Sequence, residues 1–172
     1  MVVRDVTAGD HAAVLSLNNE AVPHVNALPA EQFDWLAAHA DYFRLVEDES
    51  GVAGFVLALR SGIDYWSENY AWFGRRLAAF LYLDRAVVAA HAQRRGVGRA
   101  LYGDIAAFAA GRWPQIALEV NLRPPNPVSI AFHERMGYRR VGIREYEGND
   151  APAGAVVMME RPIAGFSASP RA

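Results

Sequence analysis

Between Val87 and Leu101 the sequence reads Val-Val-Ala-Ala-His-Ala-Gln-Arg-Arg-Gly-Val-Gly-Arg-Ala-Leu, an apolar strand-like run that passes through a glycine turn straight into a helix-forming segment. The first amides of a helix have no partner one turn back, and they point outward together at the positive end of the helix dipole. Gly96 and Gly98 remove the side chains that would keep an anion off the backbone. Arg94, Arg95 and Arg99 add positive charge around the same turn. The chemistry this arrangement suits is the grip of a diphosphate. Gly-x-Gly by itself describes an ordinary strand-to-helix turn equally well. Leu101 stands where a dinucleotide fingerprint carries its third glycine, and no Gly-Lys-Ser/Thr follows, so neither of those nucleotide cradles is present.

The remaining inventory mostly excludes. The chain has no Cys, hence no thiolate nucleophile, disulfide or Cys-based metal site. All 17 of its basic residues are Arg, so a Schiff-base lysine and a P-loop lysine are ruled out. His11, His24, His39 and His91 show no metal-ligand spacing, and no metal is expected. A formal net charge of -2 gives no broad positive field for nucleic acid. The N-terminus is a charged strand rather than an apolar leader, and no apolar run is long enough to span a membrane. A cytoplasmic protein with no nucleic-acid or membrane partner is expected.

These residues need elements to position them. Val2 to Val6 reads as a strand, and Asp10 as the cap of a helix over about 11–22 that Pro23 stops. A second helix opens at Leu28-Pro29-Ala30-Glu31. The strands 42–47 and 52–59 flank an Asp-Glu-Ser-Gly turn and make a hairpin. The aromatic stretch 61–76, with Tyr65, Trp66, Tyr70, Trp72 and Phe73, reads as a long loop, either a lid or a segment tucked onto the core. A central strand over 80–89, a helix over 99–112, a strand over 115–120, a helix over 128–136 ended by Gly137, and two closing strands over 138–146 and 155–161 follow. The result is one mixed α/β (α+β) domain over 1–163, with a loose tail over 164–172.

Gln93-Arg94-Arg95-Gly96-Val97-Gly98 resembles the Gln/Arg-x-x-Gly-x-Gly/Ala signature of the GNAT superfamily of N-acetyltransferases. Asn126-Pro127-Val128-Ser129-Ile130-Ala131-Phe132-His133-Glu134-Arg135-Met136-Gly137-Tyr138 resembles that family's second motif, and the element order matches from Val3 to about Pro162. The resemblance implies a mostly antiparallel central sheet of six to seven strands, splayed at the cofactor site and flanked by about four helices. It implies acetyl-CoA as co-substrate, with pantetheine on the backbone of Ala86, Val87 and Val88. The diphosphate would lie on Gln93, Arg94, Arg95, Gly96, Val97, Gly98, Arg99 and Ala100. Asn126 would face the cofactor or simply cap its helix, and both roles are compatible.

Amine acetylation needs a base for the ammonium, donors for the thioester oxygen, and a proton for the leaving thiolate. By the same resemblance, Val88 supplies an oxyanion amide and Glu119, in Leu118-Glu119-Val120, is the base; a strand-end Glu paired with an Arg is the plainer reading. His133 stands where the family usually has a Tyr acid that also reaches the coenzyme. It is either an imidazole donor or a packed helix histidine. Asn19, Glu20 and Tyr65 are candidates for holding a small-molecule, amino-acid or peptide amine, with capping and loop hydrogen bonds an equally good account of the first two. A homodimer is implied by resemblance alone. The competing reading is an acyl-CoA-binding module without catalysis.

Overall fold

A computed structural model describes residues 1–147 and 153–166. Twelve regular elements carry the fold: β1 (Val3–Asp5), α1 (His11–Glu20), α2 (Ala30–His39), β2 (Tyr42–Asp48), β3 (Gly51–Arg60), α3 (Glu68–Gly74), β4 (Leu81–Val88), α4 (Val97–Ala109), β5 (Gln115–Arg123), α5 (Pro127–Arg135), β6 (Arg139–Tyr146) and β7 (Gly154–Pro162). The strands are hydrogen-bonded in the order β1-β2-β3-β4-β5-β7-β6, a seven-stranded, mostly antiparallel sheet. β4 and β5 are the parallel pair, registered at Leu81↔Ile116 and Tyr82↔Ala117. The loose tail expected from 164 lies, from 167 onward, outside the described residues.

The chain forms two compact units. One comprises Met1–Arg60 and Leu83–Ala107. Its hairpin pairs Tyr42↔Ala58 through Asp48↔Gly51, and Gly51 takes the turn at φ +108°, a conformation side chains disfavour. The run Ala53–Leu59 is buried throughout, as a strand covered on both faces must be. Gly54 sets how closely β4 can approach β3. A Cβ there would lie 2.8 Å from the Val87 carbonyl oxygen and 3.3 Å from the Val88 Cα. Ala89 N then donates to Ala53 O at 2.9 Å. α4 buries Val97, Leu101, Ile105 and Ala109, a single i, i+4 face, and its Asp104 accepts from Tyr42 Oη at 2.7 Å and Arg44 Nη1 at 2.8 Å.

The other unit comprises Ser61–Tyr82 and the chain from Phe108 onward. Here the structure differs from the sequence expectation. The stretch 61–76 is not all loop: Ser67 Oγ accepts from Tyr70 N at 3.3 Å and starts α3, a fifth helix where four were expected. Ser67 followed by Glu68 was its signal, a capping hydroxyl with an acid in the first turn. The aromatics tuck inward, with Tyr70 meeting Phe80 at 5.5 Å and Tyr82 at 5.4 Å. α3 also seats on β6. A Cβ at Gly142 would lie 2.6 Å from Trp72 Cζ2, so only a glycine lets the indole lie on the strand. The β6–β7 register shifts at this point, between Arg140 and Gly142.

Candidate functional site

In the first unit, β4 leads through a single 3-10 turn (Ala90–Ala92) into residues 93–96 and then α4. Arg94 has φ +60° and Gly96 φ +91°, so the chain reverses through two left-handed residues. The first helical bond runs from Ala100 N to Gly96 O at 3.0 Å. The amides of Val97, Gly98 and Arg99 precede it and, by helix geometry, have no partner four residues back. Gln93, Arg94, Arg95 and Arg99 are exposed around them, Val97 is buried beneath, and Gly98 and Ala100 are half-buried. Arg95 Nη1 lies 3.5 Å and His91 Nε2 3.3 Å from Asp48 Oδ2 at the hairpin tip, which ties the turn to β2. The turn thus combines amides without a partner one turn back, a helix N-terminus and exposed guanidinium groups, features that suit an anion.

Upstream, Val87 is buried, while Ala86 and Val88 are half-buried. The Ala89 amide and the Val87 carbonyl both point at β3, and alternation along a strand turns the Val88 amide away from β3. Asn19 and Glu20, expected on the amine side, make local bonds. Asn19 Oδ1 accepts from Leu28 N at 2.9 Å, and Glu20 Oε1 accepts from Ser16 Oγ at 2.9 Å. The fully buried Asn18 holds the same loop: its Nδ2 donates to Asn26 O at 3.1 Å and its Oδ1 accepts from Arg85 Nη1 at 3.0 Å.

In the second unit the half-buried Glu119 lies mid-strand in β5, registered with Met158 of β7. Tyr82 Oη lies 2.8 Å from its Oε2 and 3.0 Å from its Oε1, and Asn69 Nδ2 donates to Oε1 at 2.9 Å. Arg144 Nε donates to Asn69 Oδ1 at 2.6 Å. Arg144 is thus linked to Glu119 through Asn69, and Glu119 lies within β5 rather than at its end. Tyr65 is buried with its ring 6.3 Å from that of Tyr82, while Trp66 beside it is 51% exposed. Asn69, Tyr82 and Arg144 were not singled out by sequence. They come from three elements far apart in the chain, and Asn69 sits in the helix read as loop.

α5 carries the second motif. Asn126 Oδ1 accepts from Ser129 N at 3.2 Å, with Pro127 at the first helical position, which is the capping role. His133 is 7% exposed, and burial pushes its pKa down to about 4. Its Nδ1 lies 2.7 Å from the Ser129 carbonyl oxygen. A carbonyl only accepts, so Nδ1 carries the proton of the neutral ring and Nε2 carries the lone pair. The sign of the linkage follows. The folded value is depressed from an ordinary 6.5, so this contribution is fully present above about pH 6.5 and is lost as pH falls toward 4. It amounts to about 3 kcal/mol over that range. His133→Phe should therefore show a flatter fall of Tm between pH 6.5 and 4.5 than the parent; parallel curves would mean that the ring is protonated inside the fold.

Among the described residues no group of three or more His, Cys, Asp or Glu is placed to hold a metal, and no helix is long and apolar enough to cross a membrane.

Known proteins carry the same architecture. The chain superposes on the ribosomal-protein-S18-alanine N-acetyltransferase of Escherichia coli with a TM-score of 0.72 at 20% identity, covering 99% of this chain and 97% of that one. For Arabidopsis thaliana NAA60 in complex with a bisubstrate analogue the values are 0.76 and 18%, covering 95% and 98%. For the phosphinothricin acetyltransferase of Sinorhizobium meliloti in complex with acetyl-CoA they are 0.71 and 19%, covering 99% and 92%. No curated protein matches the sequence. At these identities the likeness is one of fold. The model of the Acetyltransferase (GNAT) family matches residues 12–138, well over half of the chain, with both motifs inside that span. The chain belongs to the GNAT acetyltransferase family.

Proposed function

We propose that this protein transfers an acetyl group from acetyl-CoA directly to a primary amine of a small molecule, an amino acid or a peptide N-terminus. The observation that carries the reading is the start of α4, where three amides without helical partners follow two left-handed residues and sit among exposed arginines. That arrangement fits the diphosphate of a coenzyme, and acetyl-CoA supplies the activated acyl thioester. Gln93 to Ala100 bind the diphosphate, and the backbone of Ala86 to Val88 binds the pantetheine arm. The Val88 amide, turned away from β3, is the donor for the thioester oxygen as it gains charge.

Glu119 is the general base. It takes a proton from the incoming ammonium directly or through one water, and the amine then attacks without any covalent enzyme intermediate. The Tyr82 hydroxyl donates to the same carboxylate. The Tyr65 ring lies 6.3 Å from that of Tyr82 and 4.8 Å from that of Trp66, and these rings offer an aromatic surface to the acceptor. His133 is not assigned as the acid: in the free protein its one proton faces the Ser129 carbonyl, and a ring titrating near 4 is cationic in only about one molecule in a thousand at neutral pH. The thiolate takes its proton from solvent. The same histidine favours the second reading, a coenzyme-binding module that releases no thiol.

A panel of amines incubated with acetyl-CoA separates the two. Amine-dependent appearance of free thiol establishes transfer, whereas thermal stabilisation by acetyl-CoA with no thiol from any amine leaves the binding module.

A further inference from the structure

Glu119 is held by a line of donors that starts on a different strand. The half-buried Arg144 on β6 donates from Nε to Asn69 Oδ1 at 2.6 Å, and Asn69 on α3 donates from Nδ2 to Glu119 Oε1 at 2.9 Å. An asparagine amide can face either way, but a guanidinium has no lone pair to offer. With Arg144 on one side, the oxygen of Asn69 must face it, and the NH2 must face Glu119. Turning the amide over would set NH2 against guanidinium and oxygen against carboxylate, two repulsive contacts in place of two charge-assisted bonds. The geometry of the backbone supports the same alignment. Gly142 lets the Trp72 indole lie directly on β6, which fixes α3 to the strand two residues before Arg144. The Arg144 guanidinium is also steadied 5.5 Å over the Tyr146 ring.

We propose that Asn69, oriented by Arg144, is a positioning residue for Glu119: it fixes the carboxylate's rotamer and holds one oxygen in place so that the amine meets the other. The inference rests on Glu119 being the base. The Tyr82 hydroxyl has a single proton for the two carboxylate oxygens near it, so the Asn69 amide supplies a second donor, aimed at Oε1 alone. Arg144 acts only through Asn69, at one remove from the carboxylate, so its loss and the loss of Asn69 should act as one event.

The test uses the whole chain and the amine that gives the most thiol. Asn69→Leu, close to Asn in size and without polar atoms, should lower kcat about ten- to thirtyfold. KM for acetyl-CoA and the Tm shift that it produces should stay within about twofold of the parent. Arg144→Met should do the same, Arg144→Lys should restore most of the loss, and the Asn69→Leu/Arg144→Met double variant should be no slower than Asn69→Leu alone. In a Glu119→Gln background, Asn69→Leu should change nothing further. If Glu119→Gln lowers turnover while both Asn69→Leu and Arg144→Met leave it intact, the positioning inference is overturned and the base is not. If Glu119→Gln itself turns over normally, the base assignment falls first. Additive losses from Asn69→Leu and Arg144→Met would also overturn the line of donors. Should Asn69→Leu fail to fold, Arg144→Met on the edge strand gives the same reading.

Discussion

Glu119→Gln lowers kcat with a saturating amine by about a hundredfold or more, and leaves the thermal stabilisation by acetyl-CoA where it was. The substitution is well suited to the question, because the surroundings accept it. Gln can turn its oxygen to Asn69 Nδ2, now 2.9 Å from Oε1, and offer its NH2 to the Tyr82 oxygen, now 2.8 Å from Oε2. The aromatic packing of Tyr65, Tyr70 and Tyr82 is untouched, so the change in Tm should be small. What disappears is the only function an amide cannot supply, acceptance of a proton from an ammonium. Steady-state kinetics from pH 6 to 9 checks it. Turnover equal to that of the parent across the range removes Glu119 from the chemistry, and recovery at high pH, where the amine is already neutral, is the expected signature of a lost base.

Gly98→Glu should abolish stabilisation by acetyl-CoA. Side chains in a helix lean toward its N-terminus. A Glu at 98 therefore folds back over the amides at the start of α4 and sets a carboxylate where the diphosphate would bind. Replacing a helical glycine gains up to about 1 kcal/mol, and an acid in the first turn adds some tenths more. At a hundredfold excess of ligand over Kd, the parent gains about 2.7 kcal/mol on binding. The variant should gain nothing measurable at the same concentration. Melting curves with and without acetyl-CoA decide it; a full shift in Gly98→Glu would place the coenzyme elsewhere.

Both variants probe features of unequal visibility in the sequence. The start of α4 was legible because everything it needs is contiguous: a strand, two glycines, three arginines and a helix within 15 residues. The conformations of Arg94 and Gly96 are dictated locally and owe little to the rest of the chain. Glu119 was visible as a residue type on a strand, but its surroundings were not. Its donors Tyr82 and Asn69 are 37 and 50 positions away, and Arg144, which donates to Asn69, is 75 positions from that residue; they come together through β-pairing and the docking of α3. α3 itself was hidden because it is only seven residues long and three of them are aromatic, and burial of Tyr70, Trp72 and Phe73 rather than intrinsic helix preference forms it. His133 and Asn126 were found by position in a motif, yet what they do is set by contacts within α5. The sequence offered the cap for Asn126 and the packed ring for His133 as alternatives to cofactor contact and proton donation; the bonds to Ser129 N and Ser129 O are what the structure adds. Asn19 and Glu20 show the converse: polar residues clustered at a helix end were consistent with an amine pocket, and the structure places their bonds inside their own loop and helix.

One residue of the turn carries a cost. Arg94 occupies the left-handed region at φ +60°, where a side chain with a Cβ sacrifices roughly 1–2 kcal/mol relative to glycine. The smaller unfolded-state entropy of arginine, about 0.4–1 kcal/mol, offsets part of that cost. A chain selected only for durability would hold glycine at 94 as it does at 96, and this one instead keeps a cation in a backbone state that disfavours it. Laboratory selection for heat resistance would be expected to replace that arginine early; if the proposed diphosphate role holds, the replacement lowers coenzyme affinity.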